Sequence, residues 1–217
     1  MTEEKMLLLV NTEHPLPEDY HFEIANLSCG VPVDAEIRDA LEAMLDDCRA
    51  AGGEPRVSTA YRDMQLQTEI FEKRTQMNME LGLSREDAIK KTATLVAWPG
   101  CSEHHTGLAV DILSEDRDLP NDQFGTTPEG KWLAANCARY GFILRYPADK
   151  TAVTGIVYEP WHFRYVGTEV SLDMKDSGLC LEEYLGAEAV SLEKAKELYG
   201  EDLYQETVWV PPEQRNP

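Results

Sequence analysis

The sequence predicts one α+β domain, and three observations support this class. Helical patterns come first along the chain and short strand patterns follow, an order that does not suit a parallel, doubly wound sheet. The 217 residues, 42% of them hydrophobic, are enough for one packed core. The chain contains no internal repeat and no low-complexity block. We therefore expect a single mixed domain with a tail.

The N-terminal part is predicted to wrap the domain and then enter a helix. Residues 11–33 are rich in proline and polar side chains, which is typical of an extended segment. Asp34 is a favourable N-cap for a first helix that Gly52 and Gly53 end. The apolar positions of this helix recur at helical spacing: Ile37, Leu41, Leu45 and Cys48.

One strand and two helices are predicted next. Residues 56–61 contain β-branched side chains and indicate a short strand. A second helix is predicted over about 63–81, and Ser84 caps a third that continues to about Val96. A Trp-Pro-Gly turn at 98–100 then leads into the most informative part of the sequence.

A fourth helix and two strands are predicted in the C-terminal half. Thr127 as cap and Pro128 at the first helical position begin the helix, and Gly141 ends it. Residues 142–146 and 155–158 indicate strands.

The pattern changes after about Leu185, so we divide the chain into a domain at 1–186 and an accessory tail at 187–217. Within this tail, residues 191–199 predict a small helix and 208–212 an extended end.

Charge and cysteine content exclude several classes of function. Twenty basic and forty acidic residues give a net charge of −20, which disfavours nucleic acids and anionic membranes as partners. Five dispersed cysteines without a C-x-x-C pair predict reduced thiols, and neither a disulfide framework nor a thiolate zinc finger. They are Cys29, Cys48, Cys101, Cys137 and Cys180.

The apolar run at residues 6–10 is too short for a signal peptide or a membrane span. It predicts a strand or an anchor for the N-terminal segment. We expect a cytoplasmic protein, or one on the extracellular, cell-wall side if a leader has been removed. The sequence leaves both locations open.

Four residues form a candidate metal site. His104, Asp111 and His162 supply the three protein ligands of a catalytic zinc ion, and Glu159 is left to act on metal-bound water. Gly107 allows a close backbone approach beside them. The chain has no His-Glu-x-x-His helix, and a histidine or an acidic residue taken alone is more often a structural or surface residue than a functional one.

Strand geometry gives a partial account of how these side chains meet. On a strand Ala109 and Asp111 point to the same face, which allows Asp111 to face the site. Glu159 and His162 are three apart and would lie on opposite faces of a regular strand. Pro160 predicts a bend that brings both inward.

The motifs in combination resemble the VanY-type zinc D-alanyl-D-alanine carboxypeptidases of peptidase family M15, which are related to the VanX and VanXY enzymes. The resemblance covers roughly residues 6–186. It is carried by Ser102-x-His104-x-x-Gly107-x-Ala109-x-Asp111, Glu159-x-Trp161-His162-x-Arg164, Ser58 to Arg62 with Gln67, Pro99 to His104, Tyr140 to Pro147, Tyr165 to Gly167 and Leu181 to Leu185. It implies a compact domain with a central antiparallel sheet flanked by helices, with zinc in a cleft, as in the hedgehog/DD-peptidase fold.

The resemblance also implies roles for the matching residues. His104, Asp111 and His162 would bind Zn²⁺, and Glu159 would be the general base. Arg62 would stabilise the developing oxyanion or hold the carboxylate of the substrate.

Further positions have less direct implied roles. Ser102 and Gln67 would hydrogen-bond the terminus of the substrate. Trp161 would contact substrate or pack beneath the site. His105 has no motif role, and Arg164 would brace the site or pack structurally.

The implied function is removal of the C-terminal D-alanine from peptidoglycan stem peptides by attack of zinc-bound water. Two alternatives stay open: an L,D-carboxypeptidase that acts on the tetrapeptide, and a non-catalytic, zinc-containing module that binds cell wall or a partner. The expected partner is a stem peptide or its precursor, with no nucleic acid. The sequence does not indicate the oligomeric state.

Overall fold

The structure is a computed structural model that describes residues 1–116 and 120–191. Its strands are β1 (Ile24–Asn26), β2 (Pro32–Asp34), β3 (Pro55–Thr59), β4 (Ala109–Ser114), β5 (Phe142–Leu144) and β6 (His162–Tyr165). β1 and β2 form a small antiparallel ribbon. The other four form an antiparallel sheet in the order β3-β4-β6-β5. The predicted α+β class with a central antiparallel sheet is confirmed.

Helices surround this sheet. They are α1 (Glu3–Met6), α2 (Arg38–Ala50), α3 (Met64–Glu80), α4 (Arg85–Ala93), α5 (Pro128–Asn136), α6 (Thr151–Thr154), α7 (Thr168–Ser177) and α8 (Leu181–Tyr184). Short 3₁₀ helices lie at Glu103–Thr106, Asp122–Thr126 and Cys137–Tyr140. Among the described residues, none of these helices combines the length and apolar character needed to cross a membrane.

The main core lies between α2 and the sheet. α2 buries Leu41, Met44, Leu45 and Cys48, three of which belong to the predicted apolar face. They join Val57 of β3 and apolar residues of β4 in one cluster. Because every residue of β4 is buried, this strand lies at the centre of the domain.

α3 and α4 form an antiparallel hairpin with its own small core, in which Phe71 stacks on Trp98 with ring centroids 4.6 Å apart. The predicted cap Ser84 accepts from the backbone N–H of Asp87, and Asp63 caps α3 by accepting from the N–H of Leu66. The segment after this hairpin, residues 94–98, reaches the candidate site.

A predicted helix cap and a predicted strand are wrong. Asp34 is the last residue of β2 and not a helix cap, because the chain turns once more before α2 begins after Ile37. Residues 155–158 do not form a strand. Gly155 ends α6 with a φ of +72°, and the N–H of Val157 donates to the carbonyl oxygen of Thr94 at 3.0 Å instead of to a strand.

The fourth predicted helix is present, but its C-terminal part is a 3₁₀ helix and not an α-helix. The Thr127 side chain caps it, Pro128 begins it, and after Asn136 the chain continues as a 3₁₀ helix to Tyr140. Gly141 ends the element as expected, with a φ of +85°.

The N-terminal segment is held by a buried side chain of the sheet. Arg164 Nη2 donates to the carbonyl oxygens of Met6 at 3.0 Å and Leu8 at 2.9 Å. Val10 is fully buried. Of the two interpretations of this apolar run, the structure supports the anchor.

The C-terminal tail is described as far as Ser191. Val190 donates to the Val153 carbonyl and packs against Gly155. The predicted helix at 191–199 falls outside the described residues except for Ser191, and the extended end at 208–212 falls wholly outside them. The division into a domain at 1–186 and a tail at 187–217 stays a prediction.

Candidate active site

His104 lies in the 3₁₀ turn that leads into β4. Ser102 caps this turn, since its hydroxyl accepts from the backbone N–H of His104 at 3.4 Å. Gly107 ends the turn with a φ of +72°, and a Cβ there would lie 2.6 Å from the ring of Phe22. A glycine is therefore required, and the close approach at this position is to the N-terminal segment.

The register between β4 and β6 places Asp111 beside His162. These residues are direct partners in the antiparallel pair, although they are 51 positions apart in sequence. Side chains of directly opposite residues lie on the same face of the sheet. Strand pairing thus brings a carboxylate and an imidazole together.

Glu159 reaches the same site from the turn before β6. Its N–H donates to the carbonyl oxygen of Tyr146, and its own carbonyl oxygen accepts from the N–H of His162, both at 3.1 Å. The bend expected at Pro160 is present, and the side chains of Glu159 and His162 line one cavity.

Three atoms of these side chains converge. His104 Nε2 lies 3.3 Å from Asp111 Oδ1, and His162 Nδ1 lies 3.0 Å from the same oxygen. One candidate ligand atom from each residue lies within 4.8 Å of the other two, and all three residues are buried.

The donor set fits a zinc ion. His104 Nδ1 lies 2.6 Å from the carbonyl oxygen of Ala60, which leaves Nε2 to face the cavity. Within the described part of the chain, this buried nitrogen has no hydrogen-bond partner. A buried, unpaired imidazole nitrogen is costly without a ligand. Two imidazoles and one carboxylate leave the fourth tetrahedral position open.

The environment moves the pKa values of neighbouring groups in opposite directions. Burial lowers the pKa of His104 to about 4. Burial also disfavours the charged form of His162, but the nearby carboxylates of Asp111 and Glu103 raise its pKa to about 9. Burial raises the pKa of Glu159 to about 8, although the nearby His162 opposes this shift. Separated pKa values in one cleft are typical of acid–base sites.

Arg62 enters the cavity from the segment before α3. Its Nη2 lies 3.2 Å from Asp111 Oδ2, and its Nη1 donates to Gln67 Oε1 at 2.8 Å. Gln67 Nε2 in turn donates to the carbonyl oxygen of Ala97 at 2.7 Å. Because Gln67 is 0% exposed and uses both ends of its amide, its contacts serve to orient Arg62.

The remaining sequence candidates also line or support the cavity. Ser102 and Trp161 are buried and lie in its wall, and Trp161 also belongs to the main core. His105 uses both ring nitrogens on the backbone: Nδ1 contacts the carbonyl oxygen of Arg62 at 2.8 Å, and Nε2 accepts from the N–H of Gly100 at 3.1 Å.

The cavity has a volume of about 290 Å³ and lies between the sheet and the segment that follows α4. The hydrogen bond from Val157 N–H to the Thr94 carbonyl joins its two walls. Besides Trp161 and the polar residues, it is lined by small and medium apolar side chains: Ile70, Leu95, Val96, Ala97, Pro120 and Ile156. This lining suits a small, apolar peptide residue.

Two further residues, Tyr146 and Glu103, belong to the site and were not predicted from the sequence. The ring of Tyr146 lies 4.9 Å from that of His162, and burial raises its pKa, so the phenol stays protonated. Glu103 Oε2 lies 3.5 Å from His162 Nε2, and Glu103 Oε1 accepts from Arg145 and Arg164. Arginines within short apolar strand segments were the available signal, because such side chains require a buried partner.

Comparison with known proteins identifies the family to which this chain belongs. The VanY family of D-alanyl-D-alanine carboxypeptidases matches residues 31–168. A D-alanyl-D-alanine carboxypeptidase of Enterococcus faecalis is 41% identical over 187 residues, which are 86% of this chain and 68% of that protein.

Two solved structures extend the comparison to the fold. One is a mutant of the vancomycin resistance D,D-pentapeptidase VanY from a VanB-type cassette in complex with Zn(II), at 41% identity and a TM-score of 0.77, covering 84% of this chain and 99% of that one. The other is VanYB in complex with D-alanine-D-alanine, at 40% identity and a TM-score of 0.77, covering 83% and 97%.

Proposed function

Because the chain belongs to the VanY family of D-alanyl-D-alanine carboxypeptidases, we propose that it is a zinc D,D-carboxypeptidase that removes the terminal D-alanine from peptidoglycan stem peptides. One observation carries this proposal. Two histidines and an aspartate converge within 4.8 Å on a cavity that a glutamate and an arginine also line. A binding module has no need for the last two.

The metal would be held by His104, Asp111 and His162, through the atoms that face each other. When bound, zinc supplies a Lewis acid and lowers the pKa of a coordinated water towards about 7. The carbonyl of Ala60 and the partner strand fix the orientation of the ligands. The site therefore requires little rearrangement to bind the ion.

Glu159 is the proposed general base and acid. Its carboxylate lies 3.9 Å from His162 Nδ1, so it is adjacent to the candidate ligands without being one of them. In this position it takes a proton from the attacking water and returns it to the amine of the departing D-alanine. Burial supports both steps, because it raises the pKa of Glu159 towards the range in which a carboxyl group both accepts and donates protons.

Arg62 is the proposed anion-binding residue. Two of its donors are used by Asp111 and Gln67, and its Nε is buried without a partner among the described residues. A guanidinium held in this way binds either the carbonyl oxygen that becomes negative or the terminal carboxylate of the peptide. The apolar wall that contains Val96 and Ile156 would receive the methyl group of D-alanine.

Ser102 and Trp161 complete the proposed substrate surface. Ser102 Oγ already accepts the hydrogen bond that caps the turn. It would therefore bind the peptide by donating its hydroxyl hydrogen. Trp161 would form the floor on which the terminal residue rests, since one side of it belongs to the core. Gln67 acts through Arg62.

The test is hydrolysis of two stem peptides by the zinc-loaded protein, with products identified by mass spectrometry. We expect loss of one alanine from a pentapeptide that ends in D-Ala-D-Ala, and no loss when Glu159 is replaced by alanine although zinc is still bound. Loss only from the tetrapeptide would reassign the protein to L,D-carboxypeptidases. Loss from neither, with zinc confirmed in the sample, would favour the binding module.

A further inference from the structure

Four charged residues lie enclosed behind His162: Glu103, Arg145, Arg164 and Glu182, which we call the back cluster. Their side chains are completely buried where they pair. Arg145 donates two hydrogen bonds to Glu182, at 2.6 and 2.8 Å, and a third to Glu103 Oε1 at 2.8 Å. Arg164 Nη1 donates to the same Glu103 oxygen at 2.9 Å. Two cations and two anions make the cluster neutral.

The two oxygens of Glu103 differ in their partners. Oε1 accepts from both arginines, whereas Oε2 is buried and accepts no hydrogen bond from any described residue. The Nε2 atom of His162 is also buried and unpaired in this part of the chain. These two atoms face each other at 3.5 Å. A shift of a few tenths of an ångström would turn the contact into an ordinary hydrogen bond.

The opposite nitrogen of His162 faces the candidate metal site. Nδ1 lies 3.0 Å from Asp111 Oδ1, so a proton fixed on Nε2 leaves the Nδ1 lone pair for the metal. His104 has the corresponding arrangement, with the Ala60 carbonyl as acceptor behind it. The two imidazoles thus differ in what lies behind them: a neutral carbonyl for His104 and a charged carboxylate for His162.

We propose that Glu103 is a positioning residue that accepts the Nε2–H of His162, fixes the ring with Nδ1 towards the metal and strengthens it as a ligand. Arg145 and Arg164 hold the carboxylate in place, which explains why two arginines converge on one oxygen. A carboxylate behind a metal-binding histidine fixes the tautomer and raises the basicity of the ligand, and its loss typically weakens metal binding about 10- to 100-fold. This inference rests on the proposed zinc site.

The test compares Glu103→Gln with Glu182→Gln. Both variants remove one carboxylate charge from the back cluster and keep the shape of the side chain, but only the first changes the group that faces His162. Zinc affinity is measured on the metal-free proteins by competition with a chromophoric chelator, and folding by circular dichroism and thermal melting. Cobalt spectra of the three proteins report the ligand field.

We expect both variants to melt earlier than the wild type. We expect zinc affinity to fall at least about 10-fold in Glu103→Gln and less than about 3-fold in Glu182→Gln, with a shifted cobalt spectrum only in the first. Equal zinc affinities, or equal losses in both variants, would overturn the inference and leave Glu103 a structural residue. Failure of the wild type to bind zinc would instead overturn the proposed function.

A measurement on the wild type decides the matter if Glu103→Gln does not fold. The zinc-loaded protein should show a downfield imidazole N–H resonance for His162 Nε2 that exchanges slowly with solvent. Assignment of the proton to Nδ1, or rapid exchange at Nε2, would contradict the proposed hydrogen bond.

Discussion

Two groups of charged residues are buried on opposite sides of His162, and they differ in how completely they are paired. In the back cluster, burial disfavours the charge of Arg145, but Glu103 and Glu182 hold its pKa well above the usual value. Both cations there have carboxylate partners at hydrogen-bonding distance. The cluster is neutral and enclosed, which is typical of a structural ion-pair network.

The front group, which we call the catalytic cluster, consists of Arg62, His104, Asp111, Glu159 and His162. Arg62 is partly exposed and the other four are buried. His104 Nε2 and Arg62 Nε lack partners within the described residues, and the pKa of Glu159 rises to about 8. Incomplete pairing leaves donors and acceptors for a metal and a substrate. In the back cluster, the charged oxygen without a partner among the described residues is Glu103 Oε2, which faces His162, so the unpaired atoms of both groups lie around the candidate metal site.

The largest expected effect is on turnover, through the catalytic cluster. Replacing Glu159 by glutamine removes the base and should lower kcat by about 10²- to 10⁴-fold. Stability should stay level or rise slightly, because a buried carboxyl with a raised pKa is not stabilised as an anion. Steady-state kinetics measure kcat and thermal melting measures stability, with zinc content as the control. A variant that keeps near-normal kcat would show that Glu159 is not the base.

The second effect is on stability, through the back cluster. Arg145→Met leaves two buried carboxylates without their shared cation and should cost about 3–5 kcal/mol of unfolding free energy. The matched control is Arg38→Met, whose ion pair with Asp39 is largely exposed and should matter by less than about 1 kcal/mol. Urea unfolding measures both variants. Similar losses would remove the distinction between buried and surface pairs in this chain.

The third effect is the pH dependence of zinc binding. In the metal-free protein the pKa of His162 is raised to about 9, so a proton occupies the ring at neutral pH and must leave before the metal binds. Because fewer His162 rings carry this proton at higher pH, zinc affinity should rise by about tenfold per pH unit from about pH 6 and level off near about pH 9. Competition titrations across this range measure the slope. A flat profile would indicate that His162 is already neutral.

The smallest effect tests how Arg62 is held. Gln67→Ala removes the link between Arg62 and the Ala97 carbonyl, so the guanidinium should be less well oriented. The expected loss of transition-state stabilisation is about 1 kcal/mol, or about fivefold in kcat/KM. Zinc affinity should not change, because Gln67 contacts no candidate ligand. Kinetics on the pentapeptide give the first quantity and chelator competition the second. A loss of zinc affinity would place Gln67 among the residues that support the metal.

Local signals explain which parts of the fold the sequence predicted well. Ser84 and Thr127 each cap the helix that follows, because a hydroxyl and the N–H three residues later depend only on nearby chain. The strand expected at 155–158 failed for the opposite reason. The backbone of Val157 pairs with Thr94, about sixty residues away, and no local pattern indicates such a partner.

In the candidate site too, local sequence indicated some features, and contacts between distant residues could not be predicted. The residue types at His104, Asp111 and His162 indicated a metal site. Their convergence depends on the register between two strands that are distant in sequence, and no local sequence pattern predicts that register. Glu103 was not predicted to be part of the site, because an acidic residue in a turn is usually solvated. Its partners lie 42 and 61 positions away.

The pairing of Asp111 with His162 has a consequence for the lifetime of the protein. Two ligands 51 residues apart would make the metal a reversible cross-link that closes a long loop of the chain. An ion that binds only the folded chain stabilises it by mass action, by about 4 kcal/mol when free zinc exceeds its dissociation constant a thousandfold. The abundance of this protein in a cell should then follow the supply of zinc, since metal-poor chains would open and be degraded sooner.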